Sequence, residues 1–75
     1  MNSNWTKVKV FTNQLQAEIV KQMLVENNIP AVVLNKQDSS YHFGVIELYV
    51  DNEHTLEATA LIDSFNDEDE IGNEN

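Results

Sequence analysis

The densest group of reactive side-chain types lies between two apolar segments. Asn35, Lys36, Asp38, Ser39, Ser40, Tyr41 and His42 fall within one polar run. Donors, acceptors and both charge signs in a single turn could hold a small polar metabolite, so Asn35, Lys36, Asp38, Ser39, Ser40 and Tyr41 form a candidate ligand loop. The same types also satisfy turn backbone groups through Asx and serine hydrogen bonds, a purely structural use. A Ser-His-Asp nucleophile fails here, because one exposed turn supplies neither a held base nor a dry oxyanion site. His42 and His54 lack ligand spacing and read as solvated side chains. The acidic run Asp67, Glu68, Asp69 and Glu70 lacks the alternating Asp-x-Asp-x-Asp-Gly order of a calcium loop. The only glycines are Gly44 and Gly72, so no glycine-rich phosphate cradle exists. No catalytic residue, metal-ligand set or cofactor motif is identified, and a protein that is not an enzyme and carries no cofactor is expected.

Positioning any such residue falls to a small fold. Seventy-five residues make one domain, and a chain near this length buries only about 60% of the surface it exposes when unfolded. Without cysteine no disulfide can staple it, so stability rests on an apolar core, with self-association as the available supplement. Four lysines, no arginine and thirteen acids give a formal net charge of -9. Residues 66–75 hold five of those acids, which leaves eight acids against four lysines, or -4, elsewhere. Nucleic-acid binding neutralises phosphates with Lys and Arg, and this surface repels them. Anionic membranes are disfavoured for the same reason, and the missing arginines remove the usual bidentate anion clamp. No apolar stretch approaches the ~20 residues that span a bilayer. The opening residues lack the charged and apolar regions of a secretory leader, so a cytoplasmic location is expected.

Periodicity then supplies the elements. Residues 5–12 alternate as a strand, with Val8 and Val10 on one side and Trp5, Lys7, Lys9 and Phe11 on the other. Asn13 is a good N-cap, with Gln16 in the capping-box position. The helix over 14–26 carries Leu15, Ala17, Ile19, Val20, Met23 and Leu24 on one broad stripe. Asn27 and Asn28 stop it, and Pro30 prevents its resumption. Residues 31–35 make a second strand and 44–50 a third, with Ile46, Leu48 and Val50 on one side and Val45, Glu47 and Tyr49 on the other. Asp51 caps a second helix whose Ala58, Leu61, Ile62 and Phe65 follow the i, i+3, i+4, i+7 rule. Residues 66–75 are too acidic to fold alone. The expectation is one domain over 1–65 and a disordered acidic tail over 66–75.

Two amphipathic helices must cover the same sheet face, and a right-handed crossover followed by a hairpin puts the third strand in the middle. The expected fold is therefore α+β, in the order β-α-β-β-α. Its three-stranded antiparallel sheet has strand order 1-3-2 and two helices on one face, a ferredoxin-like arrangement lacking the last strand. The first-strand edge is then open, a hazard unless charged, covered or used for pairing. Lys7 and Lys9 can protect it. On the uncovered sheet face Trp5, Phe11 and Tyr49 are expected together, among Lys7, Lys9 and Glu47. Val32 and Leu34 join them if the second strand faces that way, a choice that turns on one residue of register. Trp5, Lys7, Lys9, Phe11 and Tyr49 form the candidate interface, since exposed aromatic patches mark interfaces.

Several pieces of this chain resemble one family. Ala17-Glu18 in the first helix, the helix exit from Leu24 with Ile29-Pro30, the hairpin from Asn35 through Tyr41 and the strand beginning at Gly44 are similar to the putative prokaryotic signal-transducing protein family. Asn28 stands where many relatives carry glycine. The resemblance implies a regulatory role, by analogy with ferredoxin-like nitrogen-regulatory proteins whose effector loop joins the same two strands. This loop is shorter, and it lacks arginines to grip phosphate. The expected function is a non-enzymatic regulatory or protein-interaction module that uses the open sheet face and the first-strand edge. Its expected partner is another protein or a second copy in a homodimer, with no nucleic acid and no membrane. The alternative is a small-metabolite sensor binding a small-molecule ligand at residues 35–42.

Overall fold

The structure, a computed structural model, describes residues 4–37 and 44–73, with side chains described as far as Phe65. The elements in chain order are β1 (Trp5–Phe11), α1 (Gln14–Glu26), β2 (Ala31–Asn35), β3 (Ile46–Asp51), a 3-10 turn (Asn52–His54) and α2 (Thr55–Asn73). β3 pairs antiparallel with both other strands, giving the sheet order β1-β3-β2. This is the expected α+β order β-α-β-β-α, and among the described residues the sheet has three strands.

Local chemistry sets the ends of α1. Asn13 is extended, and its side chain accepts a hydrogen bond from the Gln16 N–H at 3.1 Å, the bond expected of an N-cap. At the other end Asn28 has φ +66°. Its N–H donates to the Val25 carbonyl at 3.0 Å, and the Ile29 N–H donates to the Leu24 carbonyl at 3.0 Å. These two bonds, with Leu24 and Ile29 both buried, form a Schellman cap with its accompanying apolar contact. The chain leaves that cap aimed into β2.

The core is built on β3, whose Ile46, Leu48 and Val50 are fully enclosed by Phe11, Ala31, Ala17, Val20, Leu24, Ile29, Ala58 and Ile62. α1 buries a narrower stripe than its sequence implies. Ala17, Val20 and Leu24 reach the core, whereas Leu15 and Ile19 are 69% and 46% exposed. At 100° per residue those two sit well off the centre of the buried stripe, beyond what three strands cover. Asp51 caps the 3-10 turn, accepting from the Glu53 N–H at 3.1 Å, and α2 begins only at Thr55. α2 also runs on through Asn73, past the boundary expected after Phe65. Extending a formed helix needs no new nucleus, so the backbone can stay helical where apolar periodicity has ended.

β1 departs most from its expected alternation. Lys7 pairs with Tyr49 and Lys9 with Leu48, so Val8 is an extra residue, a β-bulge. A bulge shifts every later side chain to the opposite face. Phe11 therefore pairs with Ile46 and is buried among the helices, while Val10 pairs with Glu47 and is exposed. Lys9 moves with Phe11, its ammonium 5.6 Å from the Phe11 ring centroid. Two members of the candidate interface, Lys9 and Phe11, thus leave the open face, and Val10 takes their place.

Candidate functional site

On the sheet side away from the helices, cross-strand pairing sets Trp5 beside Asp51, Lys7 beside Tyr49 and Val10 beside Glu47. β2 adds Val32 beside Tyr49 and Leu34 beside Glu47, which settles the one-residue choice in favour of this face. Glu47 lies at the centre. The Lys7 Nζ is 3.2 Å from its Oε2, the Lys36 Nζ is 3.5 Å from its Oε1, and the Tyr49 hydroxyl donates to Oε1 at 2.8 Å. Glu47 is only 6% exposed, and among the described residues its polar contacts are with Lys7, Lys36 and Tyr49.

That arrangement moves the titration of both Glu47 and Tyr49. Donation from the Tyr49 hydroxyl, against some desolvation and with help from Lys7 and Lys36, holds the Glu47 carboxyl below the usual carboxylate range. The same hydrogen bond pushes the Tyr49 phenol up. Around this ionic centre stand Trp5, Val10, Val32 and Leu34, each between 40% and 47% exposed. Two lysines, one acid and a neutral phenol make a locally cationic spot on a chain of net charge -9.

The β1 edge borders a groove of about 490 Å³ lined by Lys9, Phe11, Thr12, Ile19, Val20 and Phe65 among others. Among the described residues no strand pairs with that edge. The described start of the hairpin is engaged in contacts of its own. Asn35 Nδ2 donates to Gln14 Oε1 at 3.0 Å, Asn35 Oδ1 accepts from the Gln37 N–H at 2.8 Å, and Gln37 Nε2 donates to the Thr12 carbonyl at 3.1 Å. Asn35 is thus engaged in holding the hairpin base, and Lys36 belongs to the Glu47 cluster. Asp38, Ser39, Ser40, Tyr41 and His42 lie outside the described residues. Gly44 closes the hairpin at φ +119°, where an added Cβ would come 2.8 Å from the Lys36 carbonyl oxygen, so only glycine fits without strain.

Among the described residues no group of side chains is placed to hold a metal ion. His54 has its Nδ1 3.4 Å from Asp51 Oδ2, a contact made within one turn. No helix among the described residues is long and apolar enough to cross a membrane.

The roles of Val10 and Lys36 were not legible in advance. The bulge that exposes Val10 has no glycine to announce it, and the Lys36 contact needs the closed hairpin. Glu47 did carry a signal, as the single acid in the apolar run GVIELYV, two residues from Tyr49. A family model described as putative prokaryotic signal transducing protein matches residues 5–66. No curated protein matches the chain, and no solved structure does.

Proposed function

We propose, from the premise that this chain belongs to the putative prokaryotic signal transducing protein family, that it is a non-enzymatic regulatory module that docks a partner protein on its open sheet face, with the β1 edge at the margin. One observation carries this reading. Four apolar side chains, Trp5, Val10, Val32 and Leu34, stand exposed around the anchored Lys7–Glu47–Tyr49 cluster on a face that no helix among the described residues covers. An apolar patch with a defined polar centre fits a protein surface, where apolar area and a few fixed polar groups combine. Trp5 is the anchor, since tryptophan is enriched among residues that dominate binding energy.

The test is native mass spectrometry of the chain purified from its own host, as wild type and as Trp5→Ala and Tyr49→Ala. A complex with a second protein that is present in the wild type and lost in both variants, with circular dichroism unchanged, is the expected result. A second protein retained by both variants, or a wild type that carries no second protein, would overturn it.

A further inference from the structure

The two edges of the sheet differ, and the difference points away from β1. β1 carries both common protections against pairing, a bulge at Val8 and charged lysines at positions 7 and 9, devices that natural edge strands use. Pairing β1 with itself in antiparallel fashion about Val8 would set Lys7 against Lys9 twice. β2 is the other edge strand. Its sequence AVVLN is uncharged and unbulged.

We infer that β2 is a self-pairing edge, which joins two copies of this chain across a two-fold axis at Val33 into one six-stranded sheet. The backbone parity fits. The Asp51 N–H donates to the Pro30 carbonyl and the Lys36 N–H donates to the Val45 carbonyl. Alternation in an antiparallel ladder then turns the backbone groups of Val32 and Leu34 toward β3 and those of Ala31, Val33 and Asn35 outward. An antiparallel copy centred on Val33 pairs Val33 with Val33 and Ala31 with Asn35, which satisfies every outward donor and acceptor of the strand. The intervening close pairs set Val32 of one copy against Leu34 of the other, both exposed and apolar, and no like charges are opposed within the strand.

The helix layer agrees. Asn35 bonds Gln14 at the start of α1, and the Schellman cap joins the end of α1 to the start of β2, so α1 runs antiparallel to β2 on the covered face. Gln14 marks the flank of α1 that faces the β2 edge, and at helical spacing Glu18, Lys21 and Val25 share that flank. The two-fold axis lays two such flanks antiparallel, with Glu18 of each copy toward Lys21 of the other. This charge complementarity selects a second copy as occupant. The pairing does not depend on what docks on the open face, although it merges two such faces into one.

Sedimentation equilibrium of the purified chain tests this with a complementary pair of double variants, Val32→Lys with Leu34→Lys and Val32→Glu with Leu34→Glu. The wild type is expected to dimerise. Each double variant alone should weaken dimerisation about tenfold or more through opposed like charges, an equimolar mixture should recover it, and Trp5→Ala should leave it unchanged. A monomeric wild type, double variants that dimerise as the wild type does, or folded double variants that fail to recover on mixing would each overturn the inference.

Discussion

The six residues of β3 divide between two faces with opposite characters. Ile46, Leu48 and Val50 are dry and enclosed by helices, and they hold the fold together. Glu47 and Tyr49, one position out of phase, sit in an ionic cluster with Lys7 and Lys36. A strand that served the core alone would need no acid there. A strand whose outer face met only water would need no tryptophan, valines or leucine around that acid. On the proposed reading, one face serves stability and the other recognition.

The largest effects should divide β1 across its bulge. Phe11→Ala is expected to cost about 3–5 kcal/mol, as for other buried phenylalanines, whereas Val10→Ala on the open face should cost about 1 kcal/mol or less. Chemical denaturation measures both. Without the bulge, Phe11 would be exposed and Val10 buried, so the reverse order of costs would break the comparison.

A smaller effect separates the faces by pH. The lowered Glu47 pKa stabilises the folded state above the ordinary carboxylate range, and this contribution disappears as pH falls through the folded value. The raised Tyr49 pKa works in the opposite sense. Its contribution is full below the usual tyrosine pKa of about 10, and it is lost as pH climbs through the higher folded value. Tyr49→Phe should therefore shift the Glu47 carboxyl titration upward, as followed by carbon-detected NMR, with a slight loss of stability near neutral pH. An unmoved Glu47 titration would mean that the hydrogen bond between them does not form.

Much of this was legible in the sequence, for definable reasons. The order of elements, the central position of β3 and both ends of α1 follow from periodicity and cap chemistry, and Asn28 takes the left-handed conformation that its place after the helix demanded. The face of Phe11 was not legible, because one inserted residue inverts a strand and leaves no trace in composition. Leu15 and Ile19 lie outside the core because helical spacing records hydrophobicity but not how wide the sheet beneath will be. Of the candidate interface, Trp5, Lys7 and Tyr49 share one face, while Lys9 and Phe11 belong to the other.

The most direct test of the proposed recognition face is hydroxyl-radical footprinting of the chain in its host cells against the purified chain. Trp5 and Val10 are expected to be protected in cells, while Leu15 and Leu56, exposed on the helices, react as they do in the purified chain. Protection of Leu15 and Leu56 with Trp5 and Val10 unprotected would contradict the assignment of recognition to the open sheet face.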